Sequence, residues 1–248
     1  MNKNKRYKMT SKNLLLISSS RAGQTPYLEH AKTMIEDHLN GIQDVLFIPY
    51  AGVTVSYDDY TDKVQSALAL LNINVTGIHK FDNALTAINN AKAIIIGGGN
   101  TFHLLHQLYE NNLLSAIKEK VDFGIPYIGW SAGSNVAGRS ICTTNDMPII
   151  EPQSFKALNL VPFQLNPHYT EFNPPGHNGE TREQRLAEFM VIKPEMPIVG
   201  IVEGSALKLE NGKLSLIAYD KIEKPDGFLF EGGSKSTIAI KEDISHLL

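Results

Sequence analysis

Apolar residues recur along this chain in two rhythms. Short, largely apolar runs at residues 14–18, 45–49, 93–96 and 127–130 show little alternation with polar positions, which predicts strands buried on both faces, and residues 75–79 mark a further strand, the third in chain order. Between them the apolar positions take helical spacing. One stripe, Leu28, Ala31, Met34, Ile35 and Leu39, follows Thr25-Pro26, so a helix is predicted with Thr25 as N-cap and Pro26 at its first position. Further stripes run through Tyr60, Val64, Ala67, Leu68 and Leu71, through Leu104, Leu105 and Leu108, and through Leu113, Ile117 and Val121. Two-sided apolar strands alternating with amphipathic helices predict a parallel sheet covered on each side, a doubly wound α/β core.

Beyond Gly138 the pattern loosens. Residues 143–179 are rich in proline and asparagine with little periodicity, which predicts long functional loops over the sheet edge. Thr181-Arg182-Glu183-Gln184 then matches a capping box ahead of a helix with Leu186, Phe189 and Met190 on its apolar side. A strand over 198–202 ends at Glu203. Residues 206–209 and 214–217, joined across Asn211-Gly212, predict a C-terminal β-hairpin. Residues 228–230 and 237–240 read as edge strands.

The chain has 248 residues, 42% hydrophobic and 20% charged, enough to bury a full core, and no linker or repeat divides it. We expect one catalytic α/β domain over 13–248 behind a basic tail over 1–12. The formal net charge of -3 gives no reason to expect nucleic acid or an anionic membrane as partner. Cys142 is the single cysteine, so neither an intrachain disulfide nor a cysteine metal cluster can form. The apolar run behind the basic tail is too short for a secretory signal, and no run approaches the ~18 residues of a membrane span. A cytoplasmic protein is the expectation.

The chemistry gathers at predicted strand ends, where an α/β sheet presents its ligand site. Gly129-Trp130-Ser131-Ala132-Gly133 matches G-x-S-x-G, a strained strand-to-helix turn that exposes a serine hydroxyl. Its flanking glycines are expected because side chains there would crowd the hydroxyl. The bland alternative is a glycine-rich turn whose serine caps the helix. Gly97-Gly98-Gly99-Asn100 follows the fourth strand and could present bare N–H groups to an oxyanion or a phosphate. The spacing fits neither nucleotide fingerprint. A serine nucleophile needs a base, and histidine is the side chain suited to neutral pH. His168, in the proline-fixed Asn166-Pro167-His168-Tyr169 of the loop-rich region, is the first candidate, with His177 as rival. His103 and His106 could share a metal, but no acidic or thiol partner is evident. A carboxylate must orient the imidazole. Glu203 and Asp146 are both candidates. The order Ser131, His168, Glu203 is not the nucleophile, acid, histidine order of α/β-hydrolases.

These residues resemble the peptidase E family, the cytoplasmic aspartyl dipeptidases of serine peptidase family S51, whose fold is related to class I glutamine amidotransferases. The likeness rests on residues 47–53 and 74–79, on Gly97-Gly98-Gly99-Asn100-Thr101-Phe102 and the serine turn, on residues 143–149, on Asn166-Pro167-His168, and on residues 179–185. It implies Ser131 as nucleophile, His168 as base, and Asp146 and Glu203 as the acidic positions tied to the relay. It also implies oxyanion donors at the Gly99 and Ala132 amides, and Arg182 as the cation that recognises an aspartyl side chain. A planar guanidinium suits a carboxylate better than an ammonium does.

The expected activity is therefore hydrolysis of Asp-X dipeptides through an acyl-enzyme, with no metal or organic cofactor. The expected partner is a small peptide with an N-terminal aspartate, and the expected state a monomer or homodimer. A cyanophycinase-like hydrolase of aspartyl polymers and a non-catalytic anion-binding module are the alternatives.

Overall fold

The five predicted runs form the strands that frame the molecule, but the third lies at the sheet edge with Asn74 and Thr76 exposed, not buried on both faces as expected. The structure, a computed structural model, describes residues 12–176, 178–221 and 226–248. Strands β1 (Asn13–Ile17), β2 (Asp44–Ile48), β3 (Asn74–Gly77), β4 (Ile94–Ile96) and β5 (Pro126–Trp130) lie parallel in the order β3-β2-β4-β5-β1. Later residues add β6 (Gln164–Tyr169), β7 (Ile198–Val202), β8 (Ser205–Glu210), β9 (Lys213–Ala218), β10 (Gly227–Glu231) and β11 (Ser234–Ile238). The β8–β9 hairpin extends the first sheet antiparallel beside β1, giving seven strands. Its turn places Asn211 and Gly212 at φ 53° and 78°, the conformation that an Asn-Gly hairpin takes.

The remaining strands build a second sheet in the order β11-β10-β7-β6, in which β6 and β7 are parallel. The strand at 228–230 therefore lies between β7 and β11 and is not the edge strand expected; β11 takes that position.

The helices are α1 (Lys32–Leu39), α2 (Tyr57–Leu68), α3 (Ala84–Asn90), α4 (Thr101–Glu110), α5 (Leu114–Asp122), α6 (Ala132–Asn135) and α7 (Arg182–Ile192). They divide the core by the two-residue period of the strands. Leu14, Leu16, Ile94 and Ile96 point to one face with Leu104, Leu108 and Ile117 of α4 and α5. Leu15, Ile17, Val45 and Ile95 point to the other with Ile35, Leu39, Val64 and Leu68 of α1 and α2.

Three boundaries depart from the pattern. The first helix does not begin at Thr25-Pro26. Thr25 Oγ1 instead accepts the Ala22 N–H at 2.9 Å, and Leu28 sits at φ 57°, which no helix tolerates, so helical structure begins with the turn Glu29–Ala31 and then α1. The third strand stops at Gly77, and His79 belongs to a short turn, Ile78–Lys80, where its Nε2 meets Asp58 at 2.8 Å. Helix α3 escaped the pattern because it buries only Ala87 and Ile88; its start is set by the Asn83 side chain, which accepts from the Thr86 N–H.

Candidate active site

The turn from β5 into α6 carries Ser131 at φ 53° and ψ -114°, a conformation that non-glycine residues adopt only under constraint. The serine side chain makes no capping hydrogen bond, so its hydroxyl is left for other use. The flanking glycines have a different reason from the crowding of that hydroxyl. A Cβ at Gly129 would lie 2.4 Å from the Gly133 carbonyl oxygen, and one at Gly133 would lie 2.1 Å from that of Ile96. The first turn of α6 is pressed directly on strand backbone.

His168 lies inside β6, not in a loop as the proline suggested. The pairing of β6 with β7 shifts register between Pro167 and Tyr169, and His168 is the bulged residue at φ 57°. Its N–H, out of the ladder, donates to Ser18 Oγ at 2.9 Å, and the buried Ser18 hydroxyl donates in turn to the Ile201 carbonyl at 2.7 Å. Sequence reasoning missed Ser18; only its place at the tip of the first strand could have marked it. The bulge aims the imidazole so that Nε2 is 2.9 Å from Ser131 Oγ and Nδ1 is 2.7 Å from Glu203 Oε1. An ionised carboxylate can only accept, so the ring proton sits on Nδ1 and the Nε2 lone pair faces the serine hydroxyl. The hydrogen bond from His168 holds the Glu203 carboxyl below the usual carboxylate range against the opposing effect of burial.

Glu203 follows β7 in the second sheet, whereas Ser131 follows β5 in the first. The two are neighbours, as expected, but not along one sheet edge. Asp146 serves elsewhere. Its Oδ2 accepts from the Thr101 N–H at 2.7 Å and from the Thr101 hydroxyl at 2.5 Å, at the start of α4. Of the two carboxylates left open by the sequence, Glu203 meets the imidazole and Asp146 does not. His177 lies outside the described residues.

Gly99 has φ 140°, and a Cβ there would come within 2.1 Å of the Ala51 carbonyl oxygen, so only glycine fits. Among the described residues no protein acceptor meets the N–H groups of Gly99 or of Ala132, the first residue of α6. Arg182 opens α7 behind the capping box of Thr181 and Gln184. Its Nη1 donates to the His168 carbonyl at 3.0 Å, and the side chain lines a cavity of about 220 Å³ together with Ser131, Ala132, Asp146 and His168. Burial lowers the pKa of its guanidinium from the ordinary value, the mark of a cation short of solvent, and among the described residues no carboxylate lies within 4 Å of it. A larger cavity of about 780 Å³ opens beside Ser131 and His168, walled by Tyr27, Val53 and Trp130.

Among the described residues no three histidine, cysteine or carboxylate side chains are grouped to hold a metal. The ring Nδ1 of His103 meets the Tyr50 carbonyl and that of His106 the Glu151 carbonyl. No helix among the described residues is long and apolar enough to cross a membrane.

A hydroxyl, an imidazole and a carboxylate in hydrogen-bonded series, with unengaged amides beside the hydroxyl, are the working parts of a serine hydrolase on an α/β frame. The chain belongs to peptidase family S51, whose family model matches residues 14–217, and it is a serine-type peptidase. It is 56% identical over 237 residues to a peptidase E of Shewanella baltica, covering 95% of this chain and 98% of that protein. Peptidase E of Shewanella amazonensis is 55% identical over 235 residues, covering 94% and 98%. The crystal structure of a candidate peptidase E from Listeria monocytogenes superposes with a TM-score of 0.64 at 25% identity, over 84% of this chain and 99% of that one. A peptidase from an acI-B1 Actinobacterium shares the fold, with a TM-score of 0.67 at 18% identity over 95% and 97% of the two chains.

Proposed function

We propose that this serine peptidase releases an N-terminal aspartate from short peptides. The observation that carries the reading is the half-buried Arg182 guanidinium, without a carboxylate partner among the described residues, in the same cavity as the Ser131 hydroxyl. A pocket that contains a cation short of water gains most from an anionic side chain.

His168 Nε2 takes the proton of Ser131 as Oγ bonds to the aspartyl carbonyl carbon, and the carbonyl π electrons become an oxyanion received by the Gly99 and Ala132 N–H groups. Collapse of that intermediate breaks the C–N bond, and His168 gives its proton to the departing amine. Water then repeats the cycle: His168 takes its proton, hydroxide oxygen bonds to the acyl carbon, and the proton returns to Ser131 Oγ as aspartate leaves. Glu203 remains ionised throughout and stabilises the imidazolium. No metal or organic cofactor enters the scheme.

The test is a substrate panel. Asp-Leu is cleaved and Leu-Leu is not; Arg182→Ala lowers kcat/KM for Asp-Leu by an amount equivalent to ~2–4 kcal/mol, on the scale of an unpaired charge; and Ser131→Ala stays folded but inactive. Equal cleavage of Asp-Leu and Leu-Leu by the parent removes the aspartate assignment, and full turnover by Ser131→Ala removes the nucleophile.

A further inference from the structure

The oxyanion donor at Gly99 has a weak point, and one side chain covers it. The peptide unit joining Gly98 to Gly99 is flanked by glycine on both sides, so no Cβ resists its rotation. The chain is anchored by backbone on both sides of it: the Gly97 N–H, in the peptide from Ile96, donates to the Ile48 carbonyl at 3.2 Å and the Asn100 N–H to the Ala51 carbonyl at 2.9 Å. The Gly98–Gly99 unit between them has no such bond among the described residues. Among the described residues the one protein donor that reaches it is Tyr60 of α2, whose hydroxyl donates to the Gly98 carbonyl at 2.8 Å.

A trans peptide is planar, and its C=O and N–H point in opposite directions. Fixing the Gly98 oxygen on Tyr60 therefore fixes the direction of the Gly99 N–H. Rotation of that unit would exchange the two, presenting a carbonyl dipole to the place where negative charge develops. We propose that Tyr60 is a positioning residue for the reaction, holding the Gly98–Gly99 peptide so that its N–H faces the oxyanion.

The surroundings support a fixed donor. Tyr60 is 6% exposed, its ring packs edge-on against Phe47 with centroids 5.1 Å apart, and a Cβ at Gly97 would meet its oxygen at 2.5 Å. The Tyr27 hydroxyl donates to that of Tyr60 at 3.4 Å, which leaves the Tyr60 proton for Gly98. Burial raises the phenol pKa, so the donor keeps its proton over the working range.

The inference rests on the reading of Gly99 as an oxyanion donor, and the experiment separates the two. Tyr60→Phe keeps the ring and removes the tether. With aspartyl p-nitroanilide, kcat is expected to fall about tenfold at a KM within about twofold of the parent, a fraction of the 10²–10³ that deletion of a whole donor costs. The inhibition constant of an aspartyl aldehyde, whose hemiacetal oxygen occupies the oxyanion position, rises by the same factor, while that of free aspartate does not move. Titration with a serine-directed acylating probe normalises kcat to competent sites, so partial misfolding cannot imitate the result. A kcat within about twofold of the parent overturns the inference, as does a loss matched by equal rises in KM and in the aspartate constant. If Ser131→Ala is inactive and Tyr60→Phe behaves as the parent, only the tether falls; if Ser131→Ala turns over, the reading beneath it falls.

Discussion

Glu203 and Asp146 both lie near the serine, but their hydrogen bonds assign them different work. Glu203 faces solvent on one side and holds one imidazole nitrogen; Asp146 holds the start of a helix. Glu203→Gln therefore lowers kcat by on the order of 10² or more, because an amide no longer compels the ring tautomer, with little change in Tm since the pair is exposed. Asp146→Asn instead costs about 1–2 kcal/mol of stability, a Tm lower by about 2–8 °C, whatever it does to turnover. Kinetics and thermal melts on the two variants check this. Ser131 and His168 were legible from the G-x-S-x-G turn and the proline-pinned segment, Glu203 was one of two carboxylates left open, and Arg182 as the cation for an aspartyl side chain came from the family resemblance. Ser18 was not legible, since a buried serine whose role is to join two backbones looks like any serine.

Helix α7 and strand β6 show what spacing can and cannot say about elements. The capping box at Thr181 and Gln184 was readable because its chemistry is local, whereas the bulge at His168 depends on a partner strand thirty or so residues away and leaves no local trace. Proline at 167 argued for a loop, yet a strand beside a bulge accommodates it. The same non-local logic explains Leu28, whose left-handed conformation delayed the first helix although its hydrophobic stripe was correct. Arg182 at the first position of α7 adds its charge to the positive end of the helix, so an anion in the cavity relieves both. Lys235 of β11 binds both Glu171, just past β6, and Glu183, in the first turn of that helix. Thr181→Ala is expected to cost about 1 kcal/mol in stability and to raise KM for aspartyl substrates more than it lowers kcat, measurable by melting and by steady-state kinetics on aspartyl p-nitroanilide.

At the scale of the molecule, the parallel sheet of β1 to β5 was legible because largely apolar strands alternate with amphipathic helices, while its strand order and the second sheet were not: residues 166–169 of β6 read as loop, the strand at 228–230 read as an edge, and pairing partners leave no mark in local spacing. The fold also has an acid weakness far from the serine. Burial depresses the pKa of His38, which packs inside α1, to about 4, below the 6.5 of an exposed imidazole. Between those values the unfolded chain binds a proton that the folded chain refuses, so stability is lost as pH falls from 6.5 toward 4, by on the order of 3 kcal/mol, and this contribution flattens below. His38→Leu should remove that part of the slope in urea melts across the range. The hydroxyl and the imidazole belong to different sheets, and the irregular stretch between Arg139 and Phe163 separates them. A chain severed there would leave the nucleophile on one fragment and the base on the other, each inert alone. Because β8 of the second fragment lies beside β1 of the first, the pieces carry their own template for reunion, and turnover would report that they had found each other.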